Sequence, residues 1–212
     1  MLTRWTELLG RVAPQVGAEL AHAVGTDLLA RYAEPQRCYH DERHLAEVLS
    51  AVDRLASEAE APDAVRLGAW FHDAVYDPRA EPGVNEAASA ELAESVLARL
   101  GLDAAAVTHV VALVRMTADH EPSGPDATVL SDADLAILAA PAARYAGYAA
   151  DVRREYAHVA DPDFRAGRSA ILRGFLDRDR IFGTTTGRAA WEQPARANLA
   201  AELARLSAPE PA

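Results

Sequence analysis

Apolar side chains recur along this chain at intervals of three and four residues almost from end to end. Nowhere do they alternate in the Val/Ile/Thr runs that mark strands. Leu45, Val48, Leu49, Val52 and Leu55 form one such stripe, and Val107, Val110, Val111 and Val114 form another. Alanine, the strongest helix former, supplies 48 of the 212 residues. Periodicity and alanine content together dictate an all-α fold. The expectation is a single-domain bundle of about eight to ten helices over residues 1–206, with a frayed tail at 207–212.

Punctuation divides the bundle. Gly10, Pro14 and Gly17 break the first segment, and a helix from Ala18 to Tyr32 stops before Pro35. Asp41 is placed to cap the next helix. A further one has Pro62 near its start, runs through Val65, Leu67, Gly68, Ala69 and Phe71 to about Tyr76, and ends at Asp77-Pro78. Asn85 is a good cap for a helix reaching Leu100, Asp103 starts another, and the polar stretch Asp119 to Ala127 ends it. The remaining helices are expected near 130–139, 142–158, 163–178 and 188–206.

Composition removes whole classes of function. All 21 Lys+Arg residues are arginine, so a P-loop lysine and a Schiff-base lysine are both excluded. Cys38 is the only cysteine, which rules out an internal disulfide or a CxxC site and fits a reducing compartment. No run approaches the roughly 18 apolar residues of a membrane span, and Met1 to Glu7 lacks the features of a secretion signal. A cytoplasmic protein without a membrane partner is therefore expected. The net charge of −11 repels nucleic-acid backbones, so nucleic acid is not an expected partner. Residues 144–196 nevertheless hold ten Arg against seven acids, whereas residues 1–143 hold ten against 23. The later half could hold a small anionic ligand, although most such arginines serve as solvated helix faces pairing at i,i+4.

Several titratable residues sit where a solvent-facing role is awkward. His44 borders the stripe that contains Leu45 and Val48, and His72 continues the stripe Val65, Gly68, Ala69. Asp73 follows among Trp70, Phe71, Val75 and Tyr76, and Asp132 and Asp134 lie amid Val129, Leu130, Leu135 and Ile137. Buried aspartates are costly unless a cation or several donors neutralise them. Taken singly, each of these residues is ordinarily a helix cap or a satisfied hydrogen-bond partner. Together, two imidazoles and two or three carboxylates are the ligand set of a divalent metal with open water positions. Mn, Co, Ni, Fe and Mg are all compatible with such a set, and a bound water acidified by the ion would serve as the nucleophile.

The order His44, His72-Asp73, Asp134 resembles the HD superfamily of metal-dependent phosphohydrolases. More narrowly, the segments around Tyr39–Leu45, Trp70–Pro78, Asn85–Ala90, Thr117–His120, Asp132–Leu138, Arg153–Tyr156 and Ala195–Leu199 resemble a bacterial group of predicted metal-dependent HD phosphohydrolases. The likeness covers about residues 28–203. It implies His44, His72, Asp73 and Asp134 as metal ligands, with Asp132 left as a cap or as an acceptor that orients a histidine. It also implies a hydrolase acting on a small phosphate ester such as a nucleotide.

Around that centre, His40 lies one turn before His44 and is either an exposed histidine of the first turn or a proton donor to the leaving oxygen. Glu86 could act as acid or base or stabilise a helix start, and His120 could reach the substrate or a second metal. Arg37, Arg153 and Arg154 are candidates for phosphate binding, because a guanidinium fork matches phosphate oxygens. Tyr76 is a candidate for packing against substrate. Ala74, Val75 and Tyr76 stand where some nucleotidases of the superfamily carry an acid after the HD pair, which leaves the general acid unassigned. Two alternatives remain: a di-iron oxygenase using His109 and His120, and a non-catalytic nucleotide-binding protein. A homodimer stays open.

Overall fold

Ten α-helices and two short 3₁₀ turns account for the regular structure of residues 1–208, the residues that the computed structural model describes, and no strand occurs among them. The helices are α1 (Leu2–Val12), α2 (Ala18–Tyr32), α3 (Glu42–Leu55), α4 (Pro62–Phe71), α5 (Val84–Arg99), α6 (Ala104–Met116), α7 (Pro125–Leu135), α8 (Ala142–Glu155), α9 (Asp161–Asp177) and α10 (Thr185–Ser207). No helix among the described residues is long and apolar enough to cross a membrane. The expected tail at 207–212 starts late, since Ser207 is still helical, and residues 209–212 lie outside the described residues.

Two apolar clusters form the interior. The larger joins α1 to α7 around Trp5, Tyr32, Trp70 and Phe71, and the smaller joins α8 to α10 around Tyr145, Tyr148 and Phe182. Trp191 packs against both. Tyr39 belongs to the smaller cluster and rests against His44, with ring centroids 4.7 Å apart, so the first candidate ligand sits where the two clusters approach each other. Helix α4 packs against α3, α6 and α7. Gly68 makes that approach close: a Cβ there would stand 3.1 Å from Leu130 Cδ2 and 3.3 Å from Leu113 Cβ.

Several helix boundaries differ from the sequence expectation for identifiable reasons. Helix α1 continues through Gly10, because an exposed glycine costs a helix only about 1 kcal/mol while Trp5, Leu8 and Leu9 are buried. Helix α4 stops at Phe71 rather than near Tyr76. There the Ala74 amide bonds back to the Phe71 carbonyl in a tighter turn, and Arg37 takes the carbonyls of Asp73 and Ala74. Asn85 does not cap α5. Its side chain instead accepts from the Asp77 amide and donates to the Asp77 carbonyl, clamping the loop before the helix. Helix α7 begins at Pro125, well before residue 130, because a proline at the first helical position has its φ preset and its missing N–H would be unpaired there anyway.

Asp132 is also reassigned. It neither caps the segment that follows it nor orients a histidine; its carboxylate accepts from the Gly183 and Thr184 amides (both 2.8 Å) and from the Thr184 hydroxyl (2.6 Å). Glu58 accepts from the next two amides, Thr185 and Thr186, so two carboxylates fix the start of α10. Gly187 completes this knot, since a Cβ there would come within 2.6 Å of both Asp132 Oδ2 and Thr184 Oγ1. Gly187→Ala is accordingly expected to destabilise the protein by about 1–3 kcal/mol, read as a lower midpoint in urea unfolding.

Candidate metal centre

His44 projects from the first turn of α3, whose start is fixed by Asp41 accepting from the Arg43 and His44 amides. His72 is the residue that closes α4, and Asp73 follows in the turn. Asp134 comes from the last turn of α7. His44 and His72 are 2% and 1% exposed. Their Nε2 atoms lie 3.0 Å apart. Asp73 Oδ2 stands 3.3 Å from His44 Nε2 and 3.1 Å from His72 Nε2, and Asp134 Oδ1 stands 3.2 Å and 3.6 Å from the same atoms. One donor atom each from His44, His72 and Asp134 lie within 4.8 Å of one another, an arrangement that can hold a metal ion.

The spacing is that of ligands around a single ion. With bonds of about 2.1 Å, adjacent ligands sit about 3.0 Å apart in an octahedron and about 3.4 Å apart in a tetrahedron. The tautomer agrees as well. His72 Nδ1 donates to the Ala69 carbonyl at 2.8 Å, which leaves Nε2 as the ring nitrogen that faces the centre. Burial opposes the charge of all four groups, yet their mutual attraction prevails. His72 is held well above the usual imidazole value and His44 is raised, while Asp73 and Asp134 are held far below the carboxylate range. The two carboxylates therefore draw positive charge to the imidazole nitrogens, where protons and a metal ion compete for the same lone pairs.

His40 stands beside this centre, its ring 5.7 Å from that of His44. Tyr39 meets it edge-on and Tyr76 stacks on it, with centroids 4.8 and 4.3 Å away. Behind it lies Glu155, which the sequence reading passed over in favour of the neighbouring arginines. One oxygen of the Glu155 carboxylate accepts from three consecutive amides, those of Cys38, Tyr39 and His40, at 2.7, 2.7 and 3.0 Å. The other accepts from His40 Nδ1 at 2.7 Å and from the Tyr76 hydroxyl at 2.8 Å. Burial pushes Glu155 up, but His40 and these amides overcome it and hold the carboxylate at about 2. A signal was present: Tyr145, Tyr148, Val152 and Glu155 form one buried stripe, so an acid stands in an apolar series here as at Asp73.

His120 reaches the centre from the opposite flank of Asp134, with Nε2 3.5 Å from Asp134 Oδ2 and Nδ1 3.2 Å from the Ser131 hydroxyl. Its backbone is left-handed (φ 52°), the only such non-glycine among the described residues. Arg178 braces the corner by donating to the Asp119 and His120 carbonyls. Burial and the nearby Arg178 lower the His120 imidazole despite Asp134. His109 does not join it; its Nε2 pairs with Asp126 at 2.8 Å, and α6 ends at Met116 before His120. Glu86 lies in the first turn of α5, with a buried oxygen, Oε2, that no hydrogen bond reaches among the described residues.

The three arginines expected to bind phosphate are engaged elsewhere. The Arg37 side chain is fully buried and donates to Glu34 and to the carbonyls of His40, Asp73 and Ala74, so it braces the turn that carries Asp73. Arg153 bonds Asp161 and the carbonyls of Tyr156 and Val159, and Arg154 pairs with Asp151. The excess of arginine in residues 144–196 is thus largely consumed in ion pairs, among them Arg168–Glu202 and Arg196–Glu192. Set against known protein families, curated proteins and solved structures, the chain matches none of them.

Proposed function

We propose that this chain is a metal-dependent phosphoric ester hydrolase, with His44, His72, Asp73 and Asp134 as the residues that hold a divalent cation. The observation that carries the reading is the convergence of two buried imidazoles, 3.0 Å apart, and two part-buried carboxylates that each stand 3.1–3.6 Å from both, with His72 Nδ1 held by the Ala69 carbonyl so that Nε2 faces the centre. The ordered His44, His72-Asp73, Asp134 pattern and its likeness to the HD superfamily point to the same class of chemistry. A divalent cation bound there supplies the charge that attracts phosphoryl oxygens and makes water a better nucleophile; Mn, Co, Ni, Fe and Mg all suit the mixed donor set.

The chain's own residues complete the chemistry. His40, with Nδ1–H committed to Glu155, is left with Nε2 to hold or release a proton beside the centre, which makes it the general acid for a leaving oxygen. Tyr76 keeps that imidazole in place by stacking on it and by sharing Glu155. His120, held through Nδ1 by the Ser131 hydroxyl, sets its Nε2 3.5 Å from the second oxygen of Asp134 and flanks that carboxylate. The substrate is a small phosphate ester, of which a nucleotide is one.

Metal-stripped protein incubated with a panel of phosphorylated metabolites, each with several divalent ions added back, is expected to release phosphate only when a cation is present. Asp73→Ala should lose both the bound cation and at least about a thousandfold in rate, with its circular dichroism unchanged. Phosphate release by the pure variant at the wild-type rate would end this reading.

A further inference from the structure

A cavity of about 250 Å³ lies beside the candidate metal centre, walled by α3, by α7 with the 3₁₀ turn that extends it, and by α8. His44 and Asp134 belong to both the cavity and the centre. The rest of the lining is of two kinds. Val48, Ala133, Ala136, Ile137, Ala140 and Pro141 are apolar, and Glu47 and Arg144 form one polar pair. Arg144 grips Glu47 with two parallel bonds, Nε to Oε1 at 3.0 Å and Nη2 to Oε2 at 2.7 Å. Its third terminal group, Nη1, is buried and bonds no acceptor among the described residues. A buried guanidinium N–H left in this way is destabilising unless a ligand acceptor meets it.

Charge and size narrow the ligand. Glu47 already neutralises Arg144, so the lining has no free positive charge of its own to offer a second phosphate or a carboxylate. An uncharged acceptor is the better match for Nη1. The volume falls below the roughly 300–1,000 Å³ that encloses a whole drug-sized ligand, so the cavity fits a fragment of a substrate.

We propose that this cavity receives the uncharged organic part of the phosphate ester, a compact flat heterocycle with a carbonyl or ring-nitrogen acceptor, and that Arg144 Nη1 is the donor that reads it. The assignment rests on the hydrolase reading of the neighbouring centre.

The test is equilibrium binding to Mn²⁺-loaded protein by calorimetry, using ribose 5-phosphate and the four common nucleoside 5′-monophosphates as probes. At least one monophosphate is expected to bind about tenfold tighter than ribose 5-phosphate. Arg144→Met should remove about fivefold or more of that preference. Ala140→Leu, which fills the cavity from a half-buried position and leaves Arg144 alone, should also reduce it, so a folding defect in one variant leaves the other to decide. Mn²⁺ stoichiometry and ribose 5-phosphate affinity should stay constant in both. Mn²⁺ bound one per chain with no preference for the heterocycle, or a preference that survives both substitutions, overturns the assignment of the cavity alone. Failure of the wild type to bind Mn²⁺ overturns the hydrolase reading and this assignment with it.

Discussion

Glu155→Ala is expected to lower the stability of the protein by about 3–5 kcal/mol, a fall of about 6–20 °C in Tm for a chain of this size. The side chain is fully buried and accepts from five donors on two segments, the loop before α3 and the turn after α4. Alanine would leave three consecutive amides, the His40 ring and the Tyr76 hydroxyl without an acceptor at once. Glu155→Gln separates structure from chemistry. Its carbonyl can still accept from the three amides, but its NH₂ faces Nδ1 of His40, which must then accept and carry its proton at Nε2. Most of the stability should return while the pH profile of phosphate release changes.

The same carboxylate gives a signed pH dependence. Held at about 2 in the fold, against about 4.3 when unfolded, it contributes on the order of 3 kcal/mol. A lowered carboxylate stabilises the fold fully above its unfolded value, so this contribution persists at neutrality and is lost as the pH falls from about 4.3 toward 2. Urea unfolding between pH 7 and pH 2 should therefore show a steep acid limb in the wild type that is shallower in Glu155→Ala. Equal limbs in the two proteins would remove Glu155 from its place as the anchor of the His40 loop.

How much of this was legible in the sequence depends on which interactions are local. The helical periodicity of Leu45 to Leu55 and of Val107 to Val114 is a property of neighbouring residues, and the Asp41 and Asp103 caps act within three residues, so all of these appear where the sequence puts them. Helix ends set by distant groups do not. The end of α4 depends on Arg37 capturing two carbonyls, and the loop before α10 on Asp132 some 50 residues earlier, partnerships that no local pattern reports. At the centre, His44, His72, Asp73, Asp132 and Asp134 all stood out as polar groups among apolar ones that need a partner, and only the family likeness preferred Asp134 to Asp132. Glu155 carried that signal too, but the adjoining Arg153 and Arg154 suggested a phosphate site, whereas both are paired at the end of α8. Arg144 and Glu47 read as ordinary surface charges; only their pairing across α3 and α8 brings them to one cavity.

The other large effect concerns the cation. Two part-buried carboxylates each stand 3.1–3.6 Å from the Nε2 atoms of two buried imidazoles that are themselves 3.0 Å apart, and an ion that binds them in the fold, with no equivalent site in the unfolded chain, stabilises by mass action. At a concentration a thousandfold above Kd the gain is about 4 kcal/mol, which corresponds to a rise of about 8–16 °C in the Tm of metal-stripped protein. Asp134→Ala should leave Tm insensitive to the added ion, since it removes one of the three donors that already stand within 4.8 Å of each other. Gly187→Ala, although less stable, should keep the full rise, because it loosens the start of α10 without touching a donor.

Titration of metal-stripped protein with Mn²⁺, followed by elemental analysis after removal of excess ion, addresses the centre itself. One ion per chain is expected in the wild type and none in His44→Ala or Asp134→Ala, each variant retaining its helical circular dichroism. Wild-type stoichiometry in both variants, or no retained ion in the wild type, would contradict the account.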